Sequence, residues 1–279
     1  MDQYQPDRDT IAVKFPRWDL EKYDGANDVL GTQMRSVGEV MAMGKTFKEA
    51  LQKAVRSLEQ GRYGLGQDKM FLPMTSDELM RRLAVPSSER YFMMYEALRK
   101  GAALEEIQNS THIHPWFIEQ FKELADEENA LEKSKGTMPA DTVLVQAKKD
   151  GFADAYLSQI LEIPEDTIRT RRQSLDLTEK WQAAAVSSAM RQTGCFSTYN
   201  GENHYAVRQG KPKIVVLGSG LNALAKSGIR LWMYPGDSCT QKSGFETIMV
   251  NCDPAAVSTG ADAADTVYVE PLTVEHVLG

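Results

Sequence analysis

The sequence predicts a mixed fold: a mostly α-helical bundle followed by an incomplete α/β, Rossmann-like domain. Three observations lead there. From about Thr46 to Arg172, apolar residues recur at helical spacing between capping signals. After Asn200 the chain turns polar in NGENHYAVRQGKP, then resumes as short β-branched runs, KIVVLGSG, ETIMVN and TVYVE. The composition is globular, with 279 residues, 42% hydrophobic and 25% charged, which is enough apolar material for a core.

Each element has a local reason. Residues 10–16, TIAVKFP, alternate and read as a short strand that enters a turn at Pro16. Thr46 and Glu49 form a capping-box pattern. Phe47, Leu51, Ala54, Val55 and Leu58 then share one helical face, Lys53, Arg56 and Glu59 read as a solvated face, and Gly61 stops the helix. Thr75 and Glu78 repeat the cap ahead of LMRRLAV, which Pro86 ends. SSERYFMMYEALRKG, Ser87 to Gly101, is a further helix with a terminal glycine. His114 and Pro115 stand where an N-cap and a first helical residue belong, before WFIEQFKELADEENALEK. ADTVLVQAKKDG and DAYLSQILEIP follow as shorter helices, and Glu165 to Arg172 as the last. KIVVLGSG, Lys213 to Gly220, reads as a buried strand ending in a glycine turn, and the two later strands make a parallel βαβ unit. The chain stops at Gly279 before such a sheet would be completed, so one of its faces is expected to be uncovered.

The bulk properties exclude several classes. A net charge of −7 argues against a nucleic-acid footprint, and no apolar run reaches the roughly 20 residues that a membrane span needs. The start, MDQYQPDRD, is polar and acidic, unlike a signal or transit peptide. Cys195, Cys239 and Cys252 are too few and scattered for a disulfide framework or a zinc site. A reducing, cytoplasmic setting is the expectation.

Candidate chemistry is sparse. Gly218, Gly220 and Ala223 fit a loose dinucleotide fingerprint after a strand. Its ribose partner belongs about 20 positions on. Asp237 has that spacing but sits in the turn-like PGDSC, and Asp253 follows a strand but comes too late. A tight turn without a dinucleotide is therefore the preferred reading. His112 and His114 suggest helix entry rather than a metal site, and His204 and His276 stand isolated. Met41, Met43, Met93 and Met94 read as core filler. Glu39 has an apolar setting, flanked by Val37, Gly38, Val40 and Met41. A carboxylate there either pairs locally or faces a polar channel, and the residues alone favour a satisfied structural Glu.

Two blocks carry a family resemblance. GTQMRSVGEVMAMGKTFKEALQKAVRSLE (Gly31–Glu59) and ETIMVNCDPAAVSTGADAADTVYVEPLTVEHVL (Glu246–Leu278) are similar to the large, ammonia-using subunit of carbamoyl-phosphate synthase, in the same order. WFIEQFKEL, KKDGFADAYL and the arginines near Arg172 support the interval between them. The resemblance implies an ATP-dependent ligase that makes carbamoyl phosphate from bicarbonate, two ATP and ammonia, for arginine and pyrimidine biosynthesis. A glutamine amidotransferase small subunit would deliver the ammonia, and the enzyme would self-associate. It implies 1–42 as the end of a first ATP-grasp half, 43–200 as a helical oligomerisation domain, 201–212 as a linker and 213–279 as a truncated pre-ATP-grasp domain. ATP and Mg (or Mn) would bind ATP-grasp domains lying before residue 1 and after residue 279, so this chain alone is expected to be inactive. In the family, the Met, Val and Glu of M-x-S-V-G-E line a tunnel carrying carbamate between two active sites; by position these are Met34, Val37 and Glu39. The resembled pre-ATP-grasp domain has its own GxGxN turn and binds no NAD.

The resemblance breaks at two windows. The family continues its GSG turn as PNRIGQGIEFDY, whereas this chain reads LNALAKSGIRLWMYPGDSCTQKSG. Codons for Gly228 to Ser243 read in a shifted frame can spell EFDYGCTRATVALRKA, and Asn222 to Lys226 in the other frame can give RIGQ. We read residues 222–243, and with weaker support 181–194, as translations of frameshifted DNA, which leaves Cys239 and Cys195 without a role. An intact codon series through these windows in the DNA would refute this. The alternative function is a free-standing helical interaction module without catalysis, told apart by concentration-dependent mass. A small NAD-dependent enzyme would need nicotinamide binding at Gly218–Ala223.

Overall fold

The computed structural model describes residues 10–18, 20, 25, 27–184, 194–204, 211–218, 244–252 and 264–278. The chain divides into two compact units, one made of Met1–Phe15, Glu39–Gln60 and Leu177–Gly279, the other of Pro16–Gly38 and Gly61–Asp176.

The first unit is α/β. Strands β1 (Ile11–Arg17) and β2 (Gly38–Gly44) form a two-stranded ribbon, and helix α1 (Phe47–Ser57) follows at once. Thr46 caps α1 by accepting from the Glu49 N–H (3.2 Å), as the capping-box spacing predicts. The late strands β3 (Lys180–Ala183), β4 (Gly194–Thr198), β5 (Lys213–Leu217), β6 (Glu246–Val250) and β7 (Thr266–Tyr268) build a sheet in the order β3-β4-β7-β6-β5. All its pairings are parallel except β3 with β4, so the expected parallel unit is present. Met43, Phe196, Met249, Val267 and Val269 form its core.

One sequence reading of the late strands needs correction. KIVVLG is not a buried strand: β5 lies at the sheet edge, and Val215 and Leu217 are about half exposed. The inner strands β4 and β6 carry the continuous burial instead, as parallel strands do when both faces are covered. Strands β2, β3 and β4 had no clear signal, because their runs mix Gly, Lys, Gln and Ser with the apolar residues. The fingerprint positions Gly220 and Ala223, with Asp237 and Asp253, lie outside the described residues, as does the window 222–243 with Cys239 and the stretch 185–193 of the earlier window.

The second unit is a helical bundle of α2 (Ser76–Leu83), α3 (Arg90–Arg99), α4 (Leu104–Thr111), α5 (Pro115–Glu132), α6 (Asp141–Lys149), α7 (Asp154–Leu161) and α8 (Glu165–Ser174). Thr75 caps α2 from its hydroxyl, and the His114 ring accepts from the Trp116 N–H with Pro115 at the first position of α5. Helix α3 starts later than expected, without a side-chain cap, and α4 was not foreseen. Gly101 ends α3 at φ +88°, a conformation that favours glycine.

Buried polar side chains, as well as apolar ones, hold this bundle. The Arg62 guanidinium bonds Asp68 and Glu89 and lies 3.9 Å over the Phe92 ring. Asp154 joins the Lys148 ammonium (2.8 Å) and the Arg172 guanidinium (3.1 Å), and all three are buried. Glu128 takes the hydroxyls of Tyr95 and Tyr156 and pairs with Arg99. The loop before α2 closes over this centre: the Gly66 N–H donates to the Tyr156 hydroxyl (2.7 Å).

Candidate functional site

Two places in the α/β unit gather charge. The first is the β1–β2 ribbon. Along β1, Ala12 and Lys14 are exposed while Phe15 and Arg17 are buried; along β2, every residue after Glu39 is buried. Strand alternation thus leaves the Lys14 ammonium free to reach the Glu39 carboxylate at 2.5 Å, with both side chains more than half exposed. Beside the apolar neighbours Val40 and Met41, which are buried, the Glu39 carboxylate faces outward and pairs locally with Lys14.

The other two residues of the motif lie in the helical unit. Met34 is 87% exposed, and Val37 is partly buried, with its N–H on the Arg17 carbonyl (2.9 Å). The segment leading to them is fixed from both ends. Arg35 donates to the carbonyls of Asn27 and Val29, and Asp28 accepts from the backbone and the hydroxyl of Ser88. Met34 is therefore displayed on a tethered loop.

The second place was missed by sequence reasoning. Lys53 and Arg56, read as a solvated face of α1, are buried. The Lys53 ammonium bonds the Ser197 carbonyl (2.6 Å), the Ser197 hydroxyl and Glu270 (3.0 Å). Glu270 in turn accepts from the Ser197 N–H. His276, on α9 (Val274–Leu278), is not isolated: its Nδ1 lies 2.6 Å from Glu179 and its Nε2 3.4 Å from the Arg56 guanidinium. The His276 ring thus stands between the Glu179 carboxylate and the Arg56 guanidinium. Tyr199 donates to Glu275 (2.8 Å), and Thr198 to Glu49 (3.0 Å).

The electrostatics follow from burial against pairing. Burial alone would push the Glu179 carboxyl up, but the charge of His276, its hydrogen bond and Lys53 hold it below the usual value. Burial pulls the Arg56 guanidinium down, and Glu275, Glu270 and Glu179 oppose that. Burial and Glu270 together push the Cys195 thiol far up, which makes it unreactive. The cluster joins residues far apart in sequence, and it fastens α1 to β4, to the segment after β7 and to α9. The only advance signal was the presence of polar residues in the amphipathic α1, a weak one.

Of the glycine turn, Gly218 lies among the described residues. The Gly218 N–H donates to the Val250 carbonyl (2.8 Å), and a Cβ there would stand 2.7 Å from Asn251 Nδ2. A larger residue there would have to displace the Asn251 side chain. Among the described residues, no three His, Cys, Asp or Glu side chains are placed to hold a metal ion, and no helix is long and apolar enough to cross a membrane. Met41, Met43, Met93 and Met94 are core residues, as expected.

Comparison with known proteins names this arrangement. The family model of the carbamoyl-phosphate synthetase large chain oligomerisation domain matches residues 39–176, and that of the carbamoyl phosphate synthase preATP-grasp domain matches residues 210–279. The chain is 39% identical to the carbamoyl phosphate synthase large chain of Archaeoglobus fulgidus, 37% to that of Synechocystis sp. and 39% to that of Neisseria meningitidis serogroup A. In each case 99% of this chain aligns with 26% of the relative, so it spans about a quarter of their length. With two of that protein's domains in order along the sequence, the chain belongs to the carbamoyl-phosphate synthase large-chain family.

Proposed function

We propose that this chain is the connecting section of a carbamoyl-phosphate synthase large chain. It would hold the end of the first ATP-grasp half (1–42), the helical oligomerisation domain (43–200), a linker (201–212) and the start of the pre-ATP-grasp domain (213–279). The observation that carries this is the order of the two matched domains along one chain. The assembled enzyme would be a ligase that joins bicarbonate and glutamine-derived ammonia at the expense of ATP, in the cytoplasm, for arginine and pyrimidine biosynthesis. ATP and Mg (or Mn) belong, on this reading, to ATP-grasp domains outside these residues, and a glutamine amidotransferase subunit supplies the ammonia.

The chain's own contribution is positional. Met34, Val37 and Glu39 would form part of the wall along which carbamate travels, where shielding from water protects an intermediate that hydrolyses readily. The helical unit would carry self-association. Purified chain given ammonia, bicarbonate and Mg-ATP should form no carbamoyl phosphate, and its mass by sedimentation should rise with concentration. Product above background would overturn the assignment of catalysis elsewhere. A constant monomer mass would remove the oligomerisation role, and with it the alternative of a free-standing association module, which the matched oligomerisation domain favours.

A further inference from the structure

We infer that Lys14 is the counter-charge of the carbamate path: it orients the Glu39 carboxylate and cancels its charge where the intermediate passes the β1–β2 ribbon. The inference rests on the tunnel reading of Met34, Val37 and Glu39 given above.

The geometry supplies its own argument. Lys14 Nζ stands 2.5 Å from Glu39 Oε1, with side-chain exposures of 59% and 56%. Strand alternation turns Phe15 and Arg17 to the opposite, buried face, and Val40, Met41, Ala42 and Met43 back the ribbon with apolar packing. The exposed charge of this stretch is thus one matched pair set on a firm support.

Carbamate is an anion. A wall carrying a bare carboxylate would repel it, and a wholly apolar wall would give it no compensation for lost water. An ammonium bonded to the carboxylate removes the net charge. A lysine has three N–H donors, of which Glu39 uses one, leaving donors for a passing carboxylate-like group. Lys14 is therefore a positioning residue, acting through Glu39 and through its free donors.

The test uses the complete large chain assembled with its amidotransferase subunit, and reads ATP consumed per carbamoyl phosphate formed. Lys14→Met should raise that ratio roughly two- to fivefold, the range a partly exposed ion pair supplies, because ATP is still consumed while carbamate is lost. Lys14→Gln should do the same and serves if the Met variant is poorly soluble. Lys14→Arg should keep the ratio, and Lys14→Met combined with Glu39→Gln should bring it back, since no bare anion then remains. A merely structural pair would lower ATP consumption and product together, without rescue by the double variant. An unchanged ratio in both Lys14→Met and Lys14→Gln, or a double variant as wasteful as the single, would overturn the inference. If Val37→Phe and Glu39→Ala also leave the ratio unchanged, the tunnel reading itself fails; if they raise it while the Lys14 variants do not, only the role of Lys14 is lost.

Discussion

Glu179 in the α/β unit and Glu128 in the helical unit are both buried carboxylates, yet their acidities move in opposite directions. Burial raises each. At Glu179 the charge and hydrogen bond of His276, with Lys53, outweigh that and hold the carboxyl low. At Glu128 burial wins despite Arg99, the hydroxyls of Tyr156 and Tyr95, and Gln67, and the carboxyl stays high. The difference lies in the balance of partners: Glu179 has His276 in direct contact at 2.6 Å together with the charge of Lys53, whereas Glu128 has one guanidinium at 3.3 Å and otherwise hydroxyl and amide donors. Hydroxyls compensate lost hydration only in part, whereas cations close by reward ionisation directly. The contrast is one between these two carboxylates, since the helical unit also holds the buried Lys148–Asp154–Arg172 ion pairs.

The largest effect should come from breaking the charged centre. Lys53→Met removes the cation that Glu270 and Ser197 share, leaving a buried carboxylate without its ammonium, and should cost about 3–5 kcal/mol in urea unfolding. Adding Glu270→Gln should recover much of that loss; no recovery would show that Lys53 acts through packing. The matching probe in the helical unit is Gly64→Ala. Its Cβ would fall 2.1 Å from the Tyr156 ring, and the forced shift should cost about 1–3 kcal/mol. Hydrogen exchange should then rise in the loop before α2 and in α7, while β4 is unaffected.

Acid sharpens the contrast. The Glu179 pKa is lowered on folding, so its contribution is present above the unfolded value near 4.5 and is lost as pH falls through the folded value. The Glu128 pKa is raised, so its contribution is present below 4.5 and is lost as pH rises through the folded value. Exchange followed from pH 7 to 3 should therefore show the α/β unit loosening first. Glu128→Gln should leave neutral-pH stability within about 1 kcal/mol and flatten the helical unit's pH response. An effect of similar modest size belongs to the surface: Thr75→Ala removes the exposed cap of α2 and should cost roughly 0.5–2 kcal/mol, with no change at α1.

The readable features were local ones. Caps at Thr46, Thr75 and His114 had signatures within four residues, and the bundle's helices carried their own periodicity. The Met34, Val37 and Glu39 motif was visible as a pattern, but the Lys14 partner of Glu39 was not, since it lies on another strand 25 residues earlier. Lys53, Arg56 and His276 were misread for the same reason. A helical wheel records which residues share a face and gives no information on whether that face meets water or a sheet.

By itself, then, the sequence determined α1–α3 and α5–α8, the caps at Thr46, Thr75 and His114, the parallel late strands and the family, because each rests on short-range backbone preferences or on motif order. Tertiary structure alone decided that α1 leaves its sequence neighbours and joins the late strands. It also decided that β4 enters the sheet beside β7, and that Lys53, Arg56, Glu179, Glu270 and His276 form one centre. Burying a charge is favourable only when its partner is already in place. Here the partners of α1 arrive from more than 100 residues away, set there by the sheet.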